Sequence, residues 1–159
     1  MLQIAAKKVQ TNVLLILRML TIVTRRTPTF NKYANLLGGV EYTKLCESIF
    51  ALHDDIRYAA VVDDTGLQIA GGMRRGIDSI VDQTNEELYL TQTALRKSMR
   101  QRFDDTMGNA RFAYVEREKI SILTFYLNKN ILIVTMESNI DSHSAIDIAE
   151  DTLELLRAK

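Results

Sequence analysis

Residues 120–123 and 131–134 are apolar on both alternations of an extended chain: Ile120 and Ile122 against Leu123 in the first, Ile131 and Ile133 against Leu132 and Val134 in the second. Successive side chains of a strand point to opposite faces, so strands of this kind need cover on both sides. Only a short connection around Asn128-Lys129-Asn130 separates the two. A link that short closes an antiparallel hairpin, because a parallel crossover takes about a dozen residues or more. The chain is thereby confined to a largely antiparallel sheet with helices on both faces.

The remaining elements fit around that hairpin. From Val40 onward, Tyr42, Leu45, Ile49 and Leu52 recur along one stripe of a short helix, which His53-Asp54-Asp55 ends. Ile56–Val62, rich in Ala and Val, reads as a strand; Asp63-Asp64-Thr65-Gly66 is a tight turn, and residues 67–70 return as a second strand. Gly71-Gly72-Met73-Arg74-Arg75-Gly76 reads as a flexible basic loop before a long helix over residues 79–103. On that helix Leu88, Gln92, Leu95, Met99 and Arg102 share a face. Glu86 and Glu87 lie toward its start and Arg96, Lys97, Arg100 and Arg102 toward its end, as the helix dipole favours. Residues 104–109 form a turn cluster, and strands follow over residues 111–116, 119–126 and 131–137. Asp141 or Ser142 caps a last helix with Ile146, Ala149, Leu153 and Leu156 as its buried stripe. The predicted class is α/β in the α+β sense: a five-stranded, largely antiparallel sheet covered by helices on both faces, in the order α-β-β-α-β-β-β-α. This domain occupies residues 40–159, and an extra N-terminal helix and linker occupy residues 1–39.

Composition narrows the chemistry. The chain has 159 residues, 47% hydrophobic and 25% charged, which suits one globular domain rather than a disordered chain. Its formal net charge is zero, so no global field draws nucleic acid to it. Cys46 is the only cysteine; one thiol makes neither an internal disulfide nor a Cys-based zinc site, and points to a reducing cytoplasm. His53 and His143 are the only histidines, too few for a His-rich metal centre.

The stretch Ile56-Arg57-Tyr58-Ala59-Ala60-Val61-Val62-Asp63-Asp64-Thr65-Gly66-Leu67-Gln68-Ile69-Ala70-Gly71, with the element order, is similar to the opening hairpin of roadblock/longin-type domains of the profilin-like class. Glu116-Arg117-Glu118-Lys119 and Asn130-Ile131-Leu132-Ile133-Val134-Thr135-Met136-Glu137 also resemble a family of small proteins from ammonia-oxidising archaea whose role is unassigned. The roadblock resemblance implies one helix on one face of a five-stranded sheet and two on the other. It also implies a homodimer that serves as a scaffold or regulator of small GTPases. The wider profilin-like class includes PAS and Cache sensors of small molecules, so a sensor is the alternative. A buried cavity lined by Phe112, Tyr114 and Phe125 is its mark. Fold alone does not choose between them.

No catalytic, cofactor-binding or metal-binding set is legible. Asp54-Asp55, Asp63-Asp64 and Asp104-Asp105 each stand at an element boundary, where Asp makes turns and helix ends. Gly71, Gly72, Arg74 and Arg75 form a candidate anion-binding loop ahead of a helix, though neither a phosphate loop nor a GxGxxG fingerprint is present. Cys46 lies beside a buried stripe and reads as core, with His53 two helical turns away. Gly-x-Ser-x-Gly is absent. Arg96, Lys97, Arg100 and Arg102 lack the interleaved aromatic residues of a single-strand nucleic-acid platform and read as a solvated helix end. Leu88, Leu95 and Met99 are the candidate dimer face.

The first forty residues carry all the positive excess: Lys7, Lys8, Arg18, Arg25, Arg26 and Lys32 precede the first acid, Glu41. The apolar run over residues 13–23 is too short to span a bilayer and contains Arg18, which also spoils a signal peptide. Three readings fit the stretch between Met1 and Thr27. It packs as a helix on the domain or on a second copy through Leu14, Leu17 and Leu20; the true start is Met19; or the stretch makes weak contact with an anionic membrane surface.

Overall fold

A computed structural model of the chain describes residues 40–158. Expectations for the N-terminal helix, the linker with Pro28, the start at Met19 and membrane contact between Met1 and Thr27 lie outside the described residues. Within them the elements are α1 (Val40–Phe50), β1 (Ile56–Val62), β2 (Gln68–Met73), α2 (Gln83–Gln101), the single turn α3 (Asp104–Met107), β3 (Phe112–Glu116), β4 (Ile120–Tyr126), β5 (Ile131–Glu137) and α4 (Ser142–Arg157).

The five strands form one sheet in the order β2-β1-β5-β4-β3, and every neighbouring pair is antiparallel. The central strands β1, β5 and β4 carry the doubly apolar patterns, and their alternate residues divide between two cores. On one face Ile56, Ala59, Val61, Leu123, Phe125, Leu132, Val134 and Met136 pack against Leu45, Cys46 and Ile49 of α1 and Ala145, Ile148, Ala149 and Leu153 of α4. On the other, Tyr58, Ala60, Val62, Ile122, Ile131 and Ile133 pack against Leu90 and Ala94 of α2. Two helices therefore cover one face and one covers the other.

Local chemistry sets the helix starts. Asp82 caps α2 by accepting from the Asn85 amide at 2.9 Å, and Asp141 caps α4 by accepting from the His143 and Ser144 amides at 2.9 and 3.0 Å. Hydrogen bonds from Asn85 and Ser144 hold the two carboxyls below their ordinary range.

Four expectations need correction. The second strand does not end at Ala70 but runs to Met73, with Gly71 and Gly72 paired to Ala60 and Ala59. Glycine allows this because Gly71 has a φ of 83°, closed to most side chains, and still keeps register. The long helix is shorter than residues 79–103, since Asp82 starts it and residues 79–81 are not helical. The turn cluster of residues 104–109 contains α3, which Gly108 ends. On α4, Ala149 and Leu153 are buried as expected, but Ile146 is exposed and Ala145 and Ile148 are buried in its place, because the helix packs against both the sheet and α1.

Candidate interaction surface

Helix α2 is fixed along its inner side. Leu90, Thr93, Ala94 and Lys97 are buried against the sheet. Gly66, in the β1–β2 turn, lies so close that an added Cβ would stand 2.7 Å from the Thr91 Cα. At the other end the Lys97 Nζ donates to the carbonyls of Asn128 and Asn130 at 3.1 and 3.3 Å, joining the helix to the β4–β5 turn. Burial lowers the pKa of Lys97, and the Asp64 carboxylate opposes part of that shift.

The outer side is apolar and open. Leu88, Leu95 and Met99 are 54%, 61% and 58% exposed, and Phe103 and Met107 continue the apolar character past the helix end at 58% and 79%. Helical geometry puts Leu88, Leu95 and Met99 on one line, with Glu87 and Arg102 along one flank and Asn85, Gln92 and Arg96 along the other.

Beside that second flank runs a groove of about 650 Å³. Its walls are the first half of α2, the residues ahead of it including Ile80 and Val81, and the β3–β4 turn at Arg117, Glu118 and Lys119. Tyr58, Ile122 and Ile133 form its floor. The Tyr58 hydroxyl donates to Gln68 Oε1 at 2.9 Å, and burial, with the Glu86 charge next in weight, pushes its pKa far up, so the phenol stays neutral. Arg57 pairs with Glu137 and donates to the Asp78 carbonyl at 2.9 Å, which pins the segment ahead of α2.

The other singled-out residues lie elsewhere. Gly71, Gly72, Arg74 and Arg75 do not converge as a loop: the glycines belong to β2, and the Arg74 guanidinium faces the end of α1. It donates to the carbonyls of Ile56, Phe50 and His53 at 2.6, 2.7 and 2.6 Å and stacks on the Phe50 ring at 5.2 Å. Helix-terminal carbonyls are a natural anchor for a cation. Replacing Arg74 with Ala leaves three part-buried carbonyls short of a donor, so the expected loss is about 2–4 kcal/mol in urea denaturation. Arg74→Lys recovers only part of it.

Lys97, grouped by sequence with the exposed bases, is buried. Its spacing of three and seven residues from Ala94 and Leu90 was the available signal, outweighed by the more apolar line through Leu88 and Leu95. Cys46 is a core residue. His53 accepts from the Asp55 amide at 3.2 Å, and His143 is exposed beside Asp141. Asp63 closes its turn by accepting from the Thr65 and Leu67 amides at 2.9 and 3.0 Å. Among the described residues no three His, Cys, Asp or Glu side chains stand close enough to hold a metal ion. Nor is any described helix long and apolar enough to cross a membrane. Phe125 is fully buried with its ring 5.8 Å from Phe112, on the face of the sheet opposite the groove.

The model of a protein family of unknown function, DUF6659, matches residues 35–153. The chain belongs to that family. No curated protein matches it in sequence. Among solved structures it is similar in fold to a roadblock/LC7 domain from Streptomyces avermitilis, with a TM-score of 0.54, 12% identity, and coverage of 73% of this chain and 92% of that one. It is likewise similar to the gliding protein MglB from Thermus thermophilus, with a TM-score of 0.59, 12% identity, and coverage of 74% and 87%. Profilin from Schizosaccharomyces pombe gives a TM-score of 0.51 at 16% identity, covering 73% and 96%. At these identities the likeness is one of fold, and it places this DUF6659 member among roadblock and profilin-like architectures.

Proposed function

We propose that the chain is a non-catalytic interaction domain of roadblock type, spanning residues 40–159, which acts in the cytoplasm as a homodimer on a protein partner of the small-GTPase class. The observation that carries this reading is the outer face of α2. A helix held on its inner side by a buried lysine and a close backbone turn presents Leu88, Leu95 and Met99 to solvent in one line. Large apolar side chains gathered on a rigid helix mark an interaction surface, whereas singly scattered ones need no explanation. MglB, similar in fold, has been solved in a tetrameric arrangement, which supports self-association as a use of this architecture.

Sedimentation of the full chain tests the dimer. At micromolar concentration the expected species has twice the mass of the 18.1 kDa chain. Leu95→Asp weakens association by about thirtyfold or more while leaving monomer stability nearly unchanged, since Leu95 is mostly exposed. Only 18.1 kDa material for the unaltered chain overturns the reading. Affinity capture from native extract, comparing the unaltered chain with Leu95→Asp, then tests the partner class.

A further inference from the structure

We propose that the groove beside α2 receives Phe103 of a second copy of the chain, with the two α2 helices antiparallel. This rests on the homodimer proposed above and adds what the groove holds. Three observations carry it. First, α2 is electrically polar along its length: Glu86 and Glu87 lie near its start, and Arg96, Arg100 and Arg102 near its end. Parallel pairing would set like charges side by side, and antiparallel pairing sets Glu87 near the second copy's Arg102 on a shared flank. Second, a twofold axis near the middle of α2 puts Leu88 across from Met99 and overlays the apolar line on itself, as a self-complementary interface demands. Third, Phe103, just beyond the helix end, falls on the flank of Asn85 and Gln92 at helical spacing, and that flank walls the groove. In the antiparallel arrangement it arrives beside the other copy's Asn85. There the floor of Tyr58, Ile122 and Ile133 and the rim of Ile80 and Val81 give an aromatic ring an apolar seat. The groove, at about 650 Å³, has ample room for it.

Cysteine trapping on the full chain tests the arrangement. Asn85→Cys and Phe103→Cys chains, mixed and mildly oxidised, are expected to form a mixed disulfide dimer far faster than either forms alone; Cys46, buried in the core, does not compete. Phe103→Ser is expected to weaken sedimentation-measured association about tenfold or more. Cross-linking of Asn85→Cys to itself overturns the proposal by showing parallel helices. A dimer that gives no mixed disulfide, with Phe103→Ser associating as tightly as the unaltered chain, also overturns it and leaves the homodimer standing. A chain that stays monomeric removes both. Native mass spectrometry that finds a small molecule on each subunit in place of the aromatic contact overturns it in favour of a ligand site.

Discussion

Gly71→Ala is expected to destabilise the domain by about 3–5 kcal/mol, read as a fall of about 10 °C or more in Tm. The residue lies in an edge strand and is exposed, so a count of burial alone would rate the change harmless. Its φ of 83° aims an added Cβ inward, 2.1 Å from the Ala59 carbonyl oxygen, 2.7 Å from the Cys46 Sγ and 2.8 Å from the Ala60 Cα. The first and third are backbone atoms of a strand paired on both sides, which cannot retreat without breaking the ladder. Gly76 supplies the control. It has the same φ of 83°, yet an added Cβ meets nothing within 4 Å. Gly76→Ala therefore costs only the backbone preference, about 1 kcal/mol. Equal losses for the two variants would show that strain rather than contact governs Gly71.

The second large effect is at Phe125. This side chain is fully buried in β4, between the sheet and the layer of α1 and α4, with its ring against Phe112. Phe125→Ala is expected to cost about 3–5 kcal/mol, the transfer and cavity terms combined, as a lower urea midpoint with the slope unchanged. Because Phe125 faces away from α2, the variant should self-associate like the unaltered chain wherever it remains folded. A loss of association in the folded state would place the interface on the wrong face of the sheet. Sequence singled out Phe125 with Phe112 and Tyr114 as the lining that a small-molecule sensor would need. In the fold Phe125 fills the core itself, the half-buried Phe112 and Tyr114 pack against that core, and the open groove lies on the other face.

The doubly apolar runs in β4 and β5 and the four-residue link between those strands were enough to require an antiparallel sheet covered on both faces. Hydrophobic periodicity and turn chemistry then placed β1 and β5 to the residue and the other elements nearly so. These signals are local: period, cap and turn residues act within a few positions of one another. Which edge of β1 takes β5, and so the order β2-β1-β5-β4-β3, depends on contacts about seventy to eighty residues apart in the chain, which local alternation cannot encode. The same limit explains the candidate sites. Arg74 followed two glycines and read as an anion ligand, but a strand carried through Gly71 and Gly72 turned its guanidinium onto the carbonyls of Phe50 at the end of α1, His53 and Ile56. On α2 the sequence reading singled out the more apolar line, Leu88–Leu95–Met99, and the structure buries a second, Leu90–Ala94–Lys97. The sheet took the second, because small Ala94 and Thr93 allow close approach and the Asn128 and Asn130 carbonyls satisfy the lysine. Sequence by itself determined the elements and their two-sided burial; tertiary structure alone decided which residues of the long helix the sheet buried, Lys97 among them, because that choice depends on carbonyls and turns brought together only by folding.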